Sequence, residues 1–205
     1  MTQPMPMPDT GDVLLTRGRS LMNKLTCKIT GPAGHQATFY DSKTIVEANM
    51  TTGRVVKTGL DDAMLVYDEK GTEWIIYRPR QVNRRMMGAI LRTKIQLDLD
   101  EAVEFEKYSA LELPLQIIDT VINRWILRRP RQGYDAYIFR RLGRLWDNGI
   151  ICSKTSNRAL IKNGLIPISS GLEYGSPSDT YRYLKQSRHA IVLAFSKGWY
   201  DFNGA

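Results

Sequence analysis

The sequence predicts an α+β fold, in which an antiparallel β-meander or small barrel precedes a mainly helical part with a winged-helix-like order. Two patterns lead to this prediction. Apolar and polar residues alternate in short runs between residues 25 and 77, which is typical of half-buried strands. Beyond Pro79, apolar residues recur at three- and four-residue spacing, which is typical of helices. The 205 residues, 42% of them hydrophobic and 24% charged, exclude a mostly disordered or collagen-like chain.

We expect the chain to divide into three segments. Residues 1–24 form an extended tail and lead-in, because proline at every second position from Pro4 to Pro8 removes backbone donors. Residues 25–79 form a β-rich subdomain. Residues 80–205 form a mainly helical subdomain with one or more C-terminal strands.

The β-rich segment is predicted to hold five or six short strands with tight connections. The expected strands are residues 25–30, 37–40, 44–50, 55–58, 64–67 and 72–77. Asp68-Glu69-Lys70-Gly71 is interpreted as a hairpin loop between the last two. Such a run of strands indicates an antiparallel meander.

The helical part is predicted from its apolar stripes and stop signals. The expected helices cover residues 82–90, 100–110, 114–129, 134–147 and 154–162, and Asp98 and Asp100 are placed as caps of the second. Two interpretations of the next segment stay open: a hairpin of 165–169 with 180–184, or a helix over 177–186. Residues 190–195 are predicted to form a buried strand.

The charge of the chain indicates an anionic partner. The formal net charge is +8, and basic residues are concentrated in segments 78–94 and 124–144, which an acidic segment at 98–119 separates. Two interpretations are open. The arginines could form a phosphate-binding surface, or the acidic helix could pack between the basic segments and neutralise them.

The order of elements from Pro114 to Leu184 is similar to that of winged-helix modules: helix, helix, turn, short helix and hairpin. Lys154, Arg158 and Lys162 fall at four-residue spacing in the short helix and form one basic stripe. A stripe of this kind suits contact with phosphates and base edges in a major groove.

We therefore predict a non-enzymatic protein that binds nucleic acid, DNA or RNA, through arginine-rich surfaces. The predicted contacts are Arg128, Arg129, Arg131, Arg140, Arg144, Lys154, Arg158 and Lys162. One alternative is a structural subunit of a large assembly, such as a viral or phage particle, with protein or self-assembly contacts. A second alternative is an enzyme with a dispersed active site, to be tested at His35, His189 and the acidic pairs Asp61-Asp62 and Asp68-Glu69.

The sequence assigns no catalytic residue, metal ligand or cofactor. No nucleotide-binding or nucleophile motif is present, and neither histidine has a metal-binding neighbour at the required spacing. Cys27 and Cys152 are interpreted as buried, reduced thiols of an intracellular protein. No secretory signal and no stretch long enough to span a bilayer is visible. We therefore expect a soluble protein in the cytoplasm, on nucleic acid, or in a virion.

Overall fold

The computed structural model describes residues 7–19, 31–49, 51–80, 88–107, 152–186 and 190–199, together with positions 24, 27, 118 and 122. The strands are β1 (Val13–Arg17), β2 (His35–Phe39), β3 (Thr44–Asn49), β4 (Arg54–Gly59), β5 (Glu73–Pro79) and β6 (Ala190–Phe195). The helices are α1 (Leu60–Glu69), α2 (Ala89–Phe105), α3 (Cys152–Lys162) and α4 (Pro177–Gln186). Short 3-10 turns cover Ile168–Ser170, Leu172–Tyr174 and Lys197–Trp199.

The six strands form one antiparallel sheet in the order β4-β3-β2-β1-β5-β6. This sheet and the four helices confirm the α+β class. β1 lies in its centre, with Val13 opposite Thr38 of β2 on one side and Tyr77 of β5 on the other. β1 belongs to the segment that we expected to be a tail and lead-in, and β6 joins the sheet from the far end of the chain.

The two faces of the sheet carry separate apolar clusters, because successive side chains of a strand point to opposite faces. Val13 and Leu15 of β1 belong to the larger cluster, which also contains residues of α2, α3 and α4. Leu14 belongs to the smaller cluster, which contains Ala63 of α1. Full burial of one such aliphatic side chain stabilises the folded state by roughly 1.5–3 kcal/mol. We call these two sides the helical face and the α1 face.

Two predicted strands are wrong. The chain from Leu60 to Glu69 is helix α1, where we expected a strand over 64–67 and a hairpin loop. The apolar run from Met64 to Tyr67 is unbroken, so its pattern does not distinguish a strand from a helix. In the helix, Leu65 of this run is 61% exposed. The expected strand at 25–30 fails because Lys24 and Cys27 are helical, and the Gly31 amide donates to the Cys27 carbonyl at 2.9 Å.

The helical boundaries after Pro79 differ from those expected. One helix, α2, runs over 17 residues from Ala89 to Phe105, so Asp98 and Asp100 lie inside it and cap nothing. Residues 81–87, and the predicted helices at 114–129 and 134–147, lie outside the described residues except for Ile118 and Ile122, whose backbones are helical.

The open alternative after α3 is decided in favour of the helix, because α4 covers Pro177–Gln186. Ser176 and Asp179 form a reciprocal cap at its start: the Ser176 hydroxyl accepts from the Asp179 amide at 3.2 Å, and the Asp179 carboxylate accepts from the Ser176 amide at 3.0 Å. The hairpin that would serve as a wing is therefore absent from this segment. The strand over 190–195 is confirmed, but at the sheet edge, where Phe195 is 46% exposed.

None of the helices in the described part of the chain is long and apolar enough to span a membrane.

Candidate active site

A cysteine opens the helix that packs against the centre of the sheet. Cys152 is the first residue of α3, and α3 contacts β2 and β3. The first amides of a helix have no partner within it, and the helix dipole makes this end favourable for negative charge. Its side chain therefore lies at the positive end of the helix dipole. Cys152 is 9% exposed, so this sulfur lies at the edge of the core.

An imidazole and a carboxylate from two neighbouring strands meet at this position. His35 is the first residue of β2, and its Nε2 lies 2.7 Å from Oε2 of Glu47 on β3. Ala37 is opposite Glu47 in the register, so His35 is the diagonal neighbour of Glu47 on the α1 face. Cys152 is the second group that acts on this ring, because its charge and hydrogen bonding raise the pKa of His35.

The surroundings of His35 favour its charged form. Burial lowers the pKa of His35, but the charge and hydrogen bond of Cys152, together with those of Glu47, outweigh burial and raise the pKa to about 10. Glu47 and Cys152 therefore favour the imidazolium form of His35.

Glu47 is held as a carboxylate. Burial raises its pKa, but the hydrogen bond and charge of His35 and a hydrogen bond from Thr58 outweigh burial, and the pKa is lowered. The Thr58 hydroxyl donates to Oε1 at 3.2 Å, so both carboxylate oxygens have partners. Glu47 thus fixes the ring of His35 and stays ionised beside it.

A buried amide network fixes α3 against the strand that carries His35. Asn157, one turn after the cysteine, accepts from Gln36 Nε2 at 3.0 Å and from the Thr180 hydroxyl at 3.1 Å. Its own amide nitrogen donates to the Leu172 carbonyl at 2.7 Å. Gln36 follows His35 directly in β2, so this network fixes the position of α3, which begins at Cys152, relative to His35.

The loop before His35 is fixed from α4. The Ser178 hydroxyl accepts from the Ala33 amide at 3.0 Å and donates to the Ala33 carbonyl at 2.7 Å. Both groups are buried. Hydrogen bonds at Ala33 before His35 and at Gln36 after it therefore fix the backbone that carries His35.

Five of the eight residues predicted to bind nucleic acid lie outside the described residues: Arg128, Arg129, Arg131, Arg140 and Arg144. The other three lie on α3. Lys154 is buried, with 2% exposed. Arg158 Nε is 3.2 Å from Glu173, and Lys162 forms an ion pair with Asp98. The structure does not place these three side chains together on an open stripe.

Sequence reasoning singled out His35 only as one residue to test in an enzyme, treated Cys152 as a buried thiol, and did not consider Glu47. His189 lies outside the described residues, and the acidic pairs at 61–62 and 68–69 are exposed on α1. One signal was available: Cys152 stands directly before a polar helical run, where a helix N-terminus would activate a thiol.

The constellation contains the three parts of a nucleophilic site: a sulfur nucleophile, an imidazole that exchanges its proton, and a carboxylate that orients the imidazole. Within the described residues, no group of three or more His, Cys, Asp or Glu side chains is arranged to hold a metal ion.

No protein-family model and no curated protein sequence matches the chain. Among solved structures, the chain is similar to the crystal structure of metalloprotein yiiX from Escherichia coli O157:H7, described as DUF1105. The TM-score is 0.56 at 12% identity, over 93% of this chain and 98% of that chain. At this identity the likeness shows the fold alone. It extends over both the β-rich and the helical segments.

Proposed function

We propose that the protein is an enzyme that uses the Cys152 thiolate to attack an ester or amide carbonyl, as a hydrolase or an acyltransferase. The observation that carries this proposal is the contact of His35 with both Cys152 and Glu47 at the N-terminus of α3. A pKa shift of this size, with two specific charged partners, is typical of a catalytic group.

In the first half of the reaction, the sulfur of Cys152 forms a bond to the carbonyl carbon. The π electron pair moves to the oxygen, and the free amides at the start of α3 stabilise the resulting charge. The tetrahedral intermediate then collapses and breaks the bond to the leaving group, which takes the proton from the His35 imidazolium. The acyl group remains on the sulfur as a thioester.

In the second half, water or another nucleophile gives a proton to neutral His35 and attacks the thioester carbonyl. Collapse of this intermediate releases the acid or the transferred acyl product, and the thiolate returns beside the imidazolium. Glu47 keeps its charge throughout, orients the ring through Nε2 and stabilises its protonated form.

Selective alkylation tests the nucleophile. We expect iodoacetamide to modify Cys152 at pH 6–7, where an ordinary thiol is mostly protonated and slow. Cys27 is the internal control, because it is buried and burial raises the pKa of its thiol. Peptide mapping by mass spectrometry measures both rates in one sample. The proposal fails if Cys152 reacts no faster than Cys27, or if His35→Ala leaves its rate unchanged.

Acyl transfer is tested with p-nitrophenyl acetate. A burst of p-nitrophenolate equal to the enzyme concentration, with acetyl on Cys152, is the expected result. Cys152→Ala should abolish the burst, and Cys27→Ala is the matched variant that should retain it.

Nucleic-acid binding remains a prediction that depends mainly on the arginines at 128–144. If it is right, affinity for a labelled duplex or single strand should fall steeply with salt.

A further inference from the structure

A tyrosine on the α1 face carries a hydroxyl with no hydrogen-bond partner in the described part of the chain. Tyr67 lies on α1 and packs against the smaller apolar cluster, whose strand residues include Ala37 and Ile45. Ala37 is opposite Glu47 in the register, and Ile45 lies two residues before Glu47 on the same face. Tyr67 Oη is buried and has no partner among the described residues. α1 therefore brings an unsatisfied phenol to the face of the sheet that carries His35 and Glu47.

An unsatisfied buried hydroxyl costs folding free energy, and native proteins contain few of them. Phenylalanine would fill the same volume without this cost. The hydroxyl is therefore a group that folding does not need, beside residues that the proposed chemistry does use.

The packing of Tyr67 and the strand register place this hydroxyl on the face that carries His35 and Glu47, and its electrostatic surroundings agree. Burial raises the pKa of Tyr67, and the negative charges of Glu47 and Cys152 raise it further. The phenol is therefore held in its protonated form. Among the described residues, no acceptor lies within hydrogen-bond distance of this donor.

Other buried polar atoms without partners in the described chain fit this role less well. Gln36 Oε1 can only accept a hydrogen bond, and Trp199 Nε1 belongs to a ring packed against Tyr181 and Arg17. Thr38 faces the helical side of the sheet, opposite Val13. Ser153 Oγ is adjacent to Cys152 in sequence, but its residue is 0% exposed within α3.

We propose that Tyr67 Oη donates a hydrogen bond to the carbonyl oxygen of the acyl substrate as Cys152 attacks it. This inference rests on the proposed function. When the carbon–sulfur bond forms, the π electron pair moves to the oxygen, and this oxygen becomes the acceptor that Tyr67 lacks. The proton stays on Tyr67 during the step. When the carbonyl re-forms and the leaving group departs, the hydrogen bond weakens again.

The test compares two reactions of the same sulfur. Iodoacetamide alkylates the thiolate by displacing iodide and creates no charged oxygen. Acetylation by p-nitrophenyl acetate passes through a tetrahedral intermediate with a negative oxygen. Tyr67→Phe should slow the acetylation burst by on the order of 10²-fold, the effect of removing one such donor. It should change the alkylation rate by less than about twofold, because thiolate and imidazolium are untouched.

The matched control is Tyr40→Phe, which removes a phenol hydroxyl that has a partner, Asp100 at 3.1 Å. This variant should retain both rates. The melting temperature of Tyr67→Phe should equal or exceed that of the wild type, since an unsatisfied hydroxyl has been removed.

Three results would overturn the inference. Equal loss of alkylation and acetylation, with a shifted pH profile for alkylation, would make Tyr67 a positioning residue for the thiolate–imidazolium pair. An unchanged burst with a lower melting temperature would make it a packing residue. A wild-type protein with neither a burst nor selective alkylation would refute the proposed function and, with it, this role of Tyr67.

Discussion

The protonation of His35 can be measured directly, and its value tests the proposed active site before any substrate is known. The chain has two histidines, so a long-range ¹H–¹⁵N spectrum should show two imidazoles, and the variant His189→Gln assigns them. We expect His35 to titrate at about 10, against an ordinary value of 6.5. Without partners its burial would move the pKa below 6.5.

Two substitutions separate the causes of this shift. Glu47→Gln keeps an oxygen within reach of Nε2 but removes its charge, at a contact of 2.7 Å between side chains that are 29% and 13% exposed. Hydrogen bonds to charged groups contribute about 1.5–3 kcal/mol and neutral ones about 0.5–1.5 kcal/mol. The difference of about 1–1.5 kcal/mol corresponds to a fall of about one pKa unit.

Cys152→Ser should lower the pKa of His35 further than Glu47→Gln does. The serine retains a hydroxyl but is not ionised, so the charge of the sulfur, the largest cause that raises the pKa of His35, is lost. The ranking of the variants is the decisive result. The reasoning is refuted if His35 of the wild type titrates near 6.5, or if Cys152→Ser leaves its pKa unchanged.

Three further outcomes are expected from the same structure. The lowered pKa of Glu47 stabilises the fold above about pH 4.5, and this contribution is lost as the pH falls through the folded pKa. The raised pKa of His35 stabilises the fold fully below pH 6.5, and this contribution is lost as the pH rises toward 10. Denaturant unfolding should therefore show the largest difference in unfolding free energy between the wild type and Glu47→Gln at pH values between about 4.5 and 6.5. Asn157→Ala should lower the unfolding free energy by roughly 2–4 kcal/mol, since it removes three buried hydrogen bonds, and a variant as stable as the wild type would contradict this expectation. Gly31→Ala should lower the unfolding free energy by roughly 1–3 kcal/mol, because Gly31 has φ of 124°, a backbone conformation that residues with a side chain rarely adopt. Calorimetry measures this loss, and an unchanged melting temperature would contradict the expectation.

The part of the fold that local patterns determine was predictable. α4 was one of two open interpretations, and its start carries Ser176, Pro177 and Asp179, the residues of a helix cap. β6 was expected from its short, unbroken apolar run. Helix α1 was not predictable in this way, because Met64–Tyr67 is apolar throughout. Packing against the sheet, and not the local pattern, determines that this segment is a helix.

The site itself is a product of tertiary structure. His35, Glu47 and Cys152 are each ordinary when considered alone: a histidine after a glycine, an acid within a strand, and a single cysteine. The antiparallel register of β2 and β3 brings the first two together, and the packing of α3 on these strands adds the third. Neither the register nor the packing can be deduced from spacing along the chain.

The surroundings of α3 also change how its basic residues are understood. A helix that enters a major groove must leave one face open to the nucleic acid. Eight of the 11 residues of α3 are buried and Lys162 alone is exposed. Two of its basic side chains meet acids: Arg158 pairs with Glu173, and Lys162 pairs with Asp98 of α2. A helix enclosed in this way suits a nucleophile at its N-terminus, because packing on all sides fixes the sulfur relative to His35. The remaining predicted phosphate contacts are the arginines at 128–144, which lie outside the described residues.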